Sequence, residues 1–529
     1  MMTAFKSRTF LIALLALVFA ASPAPLLPTA AQDLQPVIVH QPSGAFGLDE
    51  TLGFGTIADS PGLPDDAVTS TGSLARIPAL QSGEVDLALV GLSPIQAVAD
   101  VPLVLGKATA VRVKIALPAN ARVDAKVTLD VNGMPYEQMA NLVGPQTTVT
   151  LRIDEPRVLA PVVVKASVTP TVLVSDPNPT NNTRTVTFQT VQTTEKIVAF
   201  FLPVDWTPEE QSRHNYGVMY KKYVQGAADF FVGAYPLAAD QLIVDFTTTP
   251  HMLTTFEKTL ADSAGKFNYR NALALYGGIA IAGRRYRPDA AIVIGVLPPD
   301  WFSKHGKPKT LGLALTAVKG TVTGQFDPGE VTTAAHEVGH LYALYEDYDY
   351  AIKPPRHGVE ILVPVYWVQR EQEPVSTPSK KLWTYMSAGS KQVTYWTDRR
   401  IYEYLLAKFA LQGGTASGPL ILAATMGWEV EKEGDPADYS ANIHRFEPTQ
   451  PVYCSVAGIA LKAGSRLEVK LYRGNTLTKT DRRTTVAGNK WYPFLLADAN
   501  ALAEGTYRVE VYLDGQLVRS DQFEVKGSQ

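Results

Sequence analysis

Three residues in one short stretch have the types and spacing to carry chemistry. The segment Ala335-His336-Glu337-Val338-Gly339-His340 holds two histidines four positions apart, with a glutamate beside the first. On a helix, positions i and i+4 share a face, so both imidazoles can reach one point in space. Neutral imidazole is a ligand for Zn2+, and a carboxylate next to such a pair can take a proton from a water on the ion. The ion lowers the pKa of that water and polarises a carbonyl oxygen. The pattern is therefore hydrolytic, with His336 and His340 as metal ligands and Glu337 as general base. Only 8 histidines occur in 529 residues, so their pairing is informative. Val331-Thr332-Thr333-Ala334-Ala335 leads into the motif as an apolar-faced helix, and Asp327-Pro328-Gly329-Glu330 supplies a start signal. Imidazoles on such a face are costly unless partnered, and a metal is a natural partner.

A catalytic zinc takes a third protein ligand. Ten residues of helix span about 15 Å, so the chain must turn back after His340 before it can supply one. Here the segment resembles the metzincin-type zinc peptidases, whose extended motif is His-Glu-x-x-His-x-x-Gly-x-x-His/Asp. Glu346 stands at the final ligand position. The run Leu344-Tyr345-Glu346-Asp347-Tyr348-Asp349 is similar to the ending of the secreted immune-inhibitor-A type and, more loosely, to the bacterial IgA-peptidase type. Ala343 replaces the usual turn glycine, and the acidic pair stands in reverse order. Glu346 is favoured on spacing, with Asp347 as the alternative third ligand. The resemblance also implies a methionine turn below the metal, which Met386 in Leu382-Trp383-Thr384-Tyr385-Met386-Ser387 supplies. A helix from Thr397 would follow, with residues 387–397 walling the pocket for the residue after the cleaved bond.

Other residues are weaker candidates. Glu360 would be the third ligand in the gluzincin geometry, but Pro354 to Val363 reads as loop then strand rather than helix. His305 and His357 are isolated loop histidines. Tyr348, Tyr385 and Tyr395 are candidates for stabilising a tetrahedral oxyanion. Asp349 reads as a partner behind the metal or as a ligand of a structural Ca2+. Cys454 reads as a buried thiol in a strand.

The elements that must position these residues follow from periodicity. Residues 85–193 carry short, alternating, β-branched runs separated by turn clusters, the pattern of a β-sandwich. The turn Asp176-Pro177-Asn178-Pro179-Thr180-Asn181-Asn182 resembles that of the CARDB-type adhesion domains of exported bacterial proteins. From 194 to 417 strands and helices alternate, which makes an α/β (α+β) body. Its expected parts are a strand at Ile197–Leu202, a helix from Thr207-Pro208 to about Tyr235, and strands at Leu242–Phe246 and Ala290–Leu297. A helix from Tyr269 to about Ala282 and an edge strand at Leu311–Leu315 complete it. Such an edge strand can bind extended peptide by pairing with it. Residues 418–529 return to strands, with Asp514-Gly515 as a hairpin turn. The predicted fold class is thus a multidomain chain. A metzincin-like body is flanked by two Ig-like β-sandwiches, and residues 32–84 form an irregular lead-in or pro-segment.

Composition bounds the function. The formal net charge is −3, without the basic excess of a nucleic-acid binder. One cysteine excludes an intramolecular disulfide scaffold. Lys6 and Arg8 precede an apolar run from Phe10 to Ala20, followed by small residues to Ala31, the order of a secretory signal peptide spanning 1–31. The expected protein is bacterial, secreted and extracellular, with no membrane span after signal cleavage. It is expected to be a zinc-dependent endopeptidase acting on protein or glycoprotein substrates, with cell-surface or polysaccharide contact through the sandwiches. The competing expectation is an exported adhesion or carbohydrate-binding protein with a degenerate or glycoprotein-specific peptidase body. Specificity and oligomeric state are not legible in the sequence.

Overall fold

The computed structural model describes residues 34–37, 83–171, 174–253, 259–261, 266–307, 310–315, 320–327, 331–346, 382–386 and 394–527. The expectations for the signal peptide, Asp347, Tyr348, Asp349, His357 and Glu360 lie outside these residues, as does most of the 32–84 lead-in.

The chain is multidomain and mostly β. Its N-terminal module packs a four-stranded sheet (Thr183–Phe188, Val162–Pro170, Arg122–Val131, Met134–Val143) against a three-stranded one (Ala88–Ile95, Thr109–Ala116, Gln146–Ile153). Alternate residues point inward, so Val123, Ala125, Val127 and Leu129 from one sheet meet Val111, Val113 and Ile115 from the other. The C-terminal module repeats the scheme. Leu420–Gly427, Val452–Leu461 and Gly488–Ala497 face a five-stranded sheet that ends in the Gly505–Leu513 and Gln516–Val525 hairpin. At its turn Asp514 and Gly515 have φ of 50° and 86°, as an Asp-Gly hairpin turn requires. Cys454 is fully buried in this core.

The central body is built on β1 (Ile197–Pro203), α1 (Tyr216–Ala234), β2 (Leu242–Thr247), α2 (Tyr269–Tyr286), β3 (Ile292–Leu297), β4 (Gly312–Ala314), β5 (Thr321–Gln325), α3 (Thr333–Leu341) and α4 (Arg399–Leu411). Strands β2, β1, β3 and β5 are parallel neighbours in that order, and β4 pairs antiparallel with β5 at the edge. Every residue of β1 and β3 is buried, as expected for parallel strands covered on both faces. Ile197, Ala199 and Phe201 point into the core shared with α1, α3 and α4, whereas Phe200 and Leu202 point into the core under α2.

Four expectations need correction. Leu34–Val37, within the segment expected to be an irregular lead-in, pairs antiparallel with β2 as an additional edge strand. The single helix expected from Thr207 is two. Thr207 caps Pro208–Arg213 in a capping box, and Asn215 at φ 47° breaks the chain before α1. Asparagine tolerates this left-handed conformation, so the break falls there. Helix α3 begins at Thr333 with Thr332 as its N-cap, later than the Asp327–Glu330 signal. The edge strand is shorter than Leu311–Leu315 and runs from Gly312 to Ala314.

The three modules are sewn together. Thr190–Gln192 lies between Leu103–Val104 and Thr415–Ala416 in one small sheet, so the N-terminal module and the central body share hydrogen bonds. The α1-side core extends to Ala97, Val98, Val101 and Val104 on one flank and to Leu422, Ile459 and Trp491 on the other. Lys107, fully buried, donates from Nζ to the carbonyls of Val232 and Tyr235 at the end of α1, where the helix dipole favours a cation. Among the described residues no helix is long and apolar enough to cross a membrane.

Candidate metal centre

Helix α3 presents His336 and His340 on one face, their ring centroids 4.8 Å apart. Each ring is oriented by a backbone carbonyl. Nδ1 of His336 lies 2.8 Å from the carbonyl oxygen of Tyr385, and Nδ1 of His340 lies 2.8 Å from that of Leu344. A carbonyl only accepts, so both Nδ1 atoms carry the proton, and both Nε2 atoms present lone pairs. Those two Nε2 atoms face each other at 3.1 Å. Two lone pairs at that separation repel unless a cation lies between them. Two imidazoles on a tetrahedral zinc would hold their nitrogens about 3.3 Å apart, given Zn–N bonds of about 2.0–2.1 Å.

Glu346 completes the group. Its Oε1 is 3.9 Å from His340 Nε2, and one donor atom from each of His336, His340 and Glu346 lies within 4.8 Å of the others. Among the described residues no other group of three histidine, cysteine or acidic side chains converges in this way. Glu346 Oε2 is buried and has no hydrogen-bond partner. The donor set and this orphaned oxygen fit a divalent zinc. Glu346, favoured on spacing, lies with the two histidines, and Asp347 is outside the described residues. His305 is placed elsewhere: it ends the short Trp301–Lys304 helix and stacks on Trp301 at 3.8 Å.

The return of the chain is made at Ala343, which has a φ of 70°. This is the left-handed turn that glycine makes more easily. The Tyr342, Ala343 and Leu344 amides close back on Gly339 and His340 carbonyls and end α3. The arm beyond is then held by the C-terminal module. Ala441 donates to the Ala343 carbonyl at 3.0 Å, and Tyr345 donates to the Ala441 carbonyl at 2.9 Å.

Below the helix, Met386 is fully buried against Gly339, where an added Cβ would come 2.5 Å from Sδ. The Thr384-Tyr385-Met386 turn therefore supports the site through the Tyr385 carbonyl. The Tyr385 ring is packed in the core against Phe230 and Tyr235, which gives its phenol a packing role rather than the candidate oxyanion role. Tyr395 belongs to the short strand Thr394–Trp396. Asp398 caps the helix that follows, accepting from Ile401 N–H at 2.8 Å.

Glu337 lies against the edge strand at Gly312. An added Cβ on Gly312 would lie 2.3 Å from Glu337 Oε1, so the carboxylate rests directly on the glycine backbone. Burial pushes the Glu337 carboxyl well above the usual carboxylate range, and nearby Glu346 pushes it further. Burial also raises Glu346. Burial lowers His336, and burial with neighbouring His336 lowers His340 to about 3. All four groups are thus driven toward their neutral forms, and a divalent cation would reverse that balance for the carboxylates.

One residue of the site was not anticipated. Tyr439, in the loop 434–444 of the C-terminal module, stacks on His340 with ring centroids 4.7 Å apart and planes 29° apart. Its hydroxyl donates to the Ala314 carbonyl of β4 at 3.0 Å. Its φ is 56°, unusual for a bulky side chain. The only sequence signal was an aromatic residue within a Gly-, Asp- and Pro-containing loop.

No family model matches this chain, and no curated protein matches it. Solved structures similar to it include a CARDB domain from Pyrococcus furiosus, at 20% identity over 21% of this chain and 94% of that one, with a TM-score of 0.17. An immunoglobulin-like protein from Pseudomonas aeruginosa is similar at 8% identity over 20% of this chain and 96% of that one, with a TM-score of 0.16. OgpA from Akkermansia muciniphila is similar at 10% identity over 62% of this chain and 91% of that one, with a TM-score of 0.23. The structural neighbours of this β-rich multidomain chain thus include Ig-like and CARDB domains.

Proposed function

We propose that this chain is a secreted zinc-dependent endopeptidase of metzincin-like architecture. The observation that carries the reading is the pair of Nε2 lone pairs of His336 and His340, held face to face at 3.1 Å by protonated Nδ1 atoms, with Glu346 beside them. His336, His340 and Glu346 would hold the metal. When bound, Zn2+ supplies an acidified water and polarises the scissile carbonyl. Glu337 takes the proton from that water and passes it to the leaving amine. Its buried position favours the protonated state between the two transfers. The Tyr385 and Leu344 carbonyls keep both imidazoles in the ligating tautomer. Edge strand β4 would align an extended peptide by backbone pairing. The two sandwiches would serve attachment to protein, glycoprotein or polysaccharide surfaces.

The test compares wild type with Glu337→Gln on casein and gelatin, with zinc content measured in both. The reading expects about one zinc per chain in each and cleavage by wild type alone. No tightly held zinc, or no cleavage by zinc-loaded wild type, would return the chain to the exported binding-protein reading.

A further inference from the structure

We propose that Tyr439 is a gate on the substrate strand, closing at Ala314 the edge of β4 that no strand pairs with among the described residues, until an extended peptide displaces it. The inference rests on the zinc-peptidase reading and extends it to how substrate gains entry.

The register of the edge fixes which backbone groups are offered. Gln325 N–H donates to the Leu311 carbonyl, and β4 and β5 then pair as Gly312 with Gly324, Leu313 with Thr323 and Ala314 with Val322. In an antiparallel pair, hydrogen-bonded and non-hydrogen-bonded positions alternate. Leu311 and Leu313 therefore turn their backbone groups toward β5. Gly312 and Ala314 turn theirs outward, beside Glu337 and the histidines. The Leu313 carbonyl is also taken, by the Tyr276 and Thr323 hydroxyls.

An incoming strand would pair with the outward groups of Gly312 and Ala314. The Ala314 carbonyl already accepts the Tyr439 hydroxyl, and the Tyr439 ring covers His340. The phenol therefore occupies the place a substrate N–H would take. Tyr439 also sits in a strained backbone conformation, which persists only where surrounding structure enforces it. Tyr439 belongs to another module from β4, so its side chain can swing off Ala314 without disturbing the sheet while Ala441 keeps its bonds to the Glu346 arm. A ligand that reaches only the metal does not need that movement, whereas one that pairs along β4 does.

Two probes separate these cases: acetohydroxamic acid, which contacts the metal alone, and acetyl-trialanine hydroxamate, which adds a short strand. Both are titrated into zinc-loaded full-length wild type, Tyr439→Phe and Tyr439→Gly. Phenylalanine keeps the ring on His340 and removes the hydroxyl; glycine removes the side chain and suits the positive φ. The peptide hydroxamate should bind Tyr439→Phe about fivefold more tightly than wild type, the worth of one released hydrogen bond. It should bind Tyr439→Gly more tightly than wild type relative to acetohydroxamate, whose affinity stays the same in wild type and Tyr439→Phe, where the ring remains on His340. If zinc and acetohydroxamate bind normally but peptide affinity is unchanged or weaker in both variants, the gate is refuted and the metal reading stands. If wild type holds no zinc or binds neither hydroxamate, the metal reading itself falls and takes the gate with it.

Discussion

On the zinc-peptidase reading, Gly312→Ala separates the proton-transfer role proposed for Glu337 from metal binding. Alanine adds one carbon, which would lie 2.3 Å from Glu337 Oε1, 2.7 Å from Cγ and 2.8 Å from Cδ. Van der Waals contact needs about 3.4 Å or more. The carboxylate must therefore retreat by about 1 Å. Displacements of that size from a productive geometry cost about a hundredfold in rate. His336 and His340 are held from the other side by the Tyr385 and Leu344 carbonyls and should not follow. Overpacking costs about 1–3 kcal/mol, and the loss of glycine's chain entropy returns about 0.4–1 kcal/mol. The variant should therefore fold, keep about one zinc per chain, and lose about a hundredfold in kcat on casein peptides. Glu337→Gln provides the lower limit in the same assay. A Gly312→Ala protein with kcat within about threefold of wild type would refute the argument that this contact sets the base. Loss of zinc alongside activity would refute the claim that base and ligands are positioned separately.

Further outcomes follow from the same geometry. Ala343→Val puts a β-branched residue at a φ of 70°. It should cost about 1–2 kcal/mol in denaturant unfolding and weaken zinc binding, because the Glu346 arm starts there; unchanged zinc affinity would contradict that coupling. Glu337 and Glu346 have folded-state pKa values raised above their ordinary 4.5. Above that pH the unfolded chain has released these protons while the metal-free fold retains them, so metal-free stability falls as pH rises. The Tm gap between zinc-loaded and EDTA-stripped protein should widen from about pH 5 to about pH 8, and calorimetry showing a constant or shrinking gap would refute it. Lys107→Met strands the Val232 carbonyl and removes one of two donors from that of Tyr235, which keeps the Leu237 N–H, and should cost about 1–3 kcal/mol, read from the denaturation midpoint; a neutral result would show that the buried Lys107 amine does not anchor the N-terminal module.

The readable part of the site was the part made by local chain geometry. His336 and His340 share a face because one helix turn separates them, and the spacing to Glu346 predicts a turn before it can be gathered. Ala343 marks the limit of residue-type rules: the position adopts the left-handed turn although its residue is not glycine. The alternating pattern located both sandwiches and the central sheet, since burial on one or both faces writes itself into each strand. Tyr439 was not legible, because it stands 99 positions along the chain from His340 and no periodicity records such a contact. Leu34–Val37 was missed for a related reason: four residues with an internal proline carry little strand signal, and their partner β2 lies far along the chain. The break at Asn215 was hidden because Pro208–Arg213 is polar, with no buried residue, and so carries no apolar period to mark where the first helix stops.

The small sheet centred on Thr190–Gln192 bears on how this molecule can be cut. Its three strands come from three stretches of sequence, and the two tempting sites for truncation, near 193 and 417, lie beside it. A cut near 193 would part Thr190–Gln192 from Thr415–Ala416 and bare the apolar flank around Val191, and a cut near 417 would strip Leu422, Ile459 and Trp491 from the α1-side core. Removing the C-terminal stretch would also take away Ala441, to which the Glu346 arm is tied. On the zinc-peptidase reading, the smallest autonomous catalytic fragment is therefore nearly the whole described chain, and grafting α3 onto another scaffold would require carrying both seams with it.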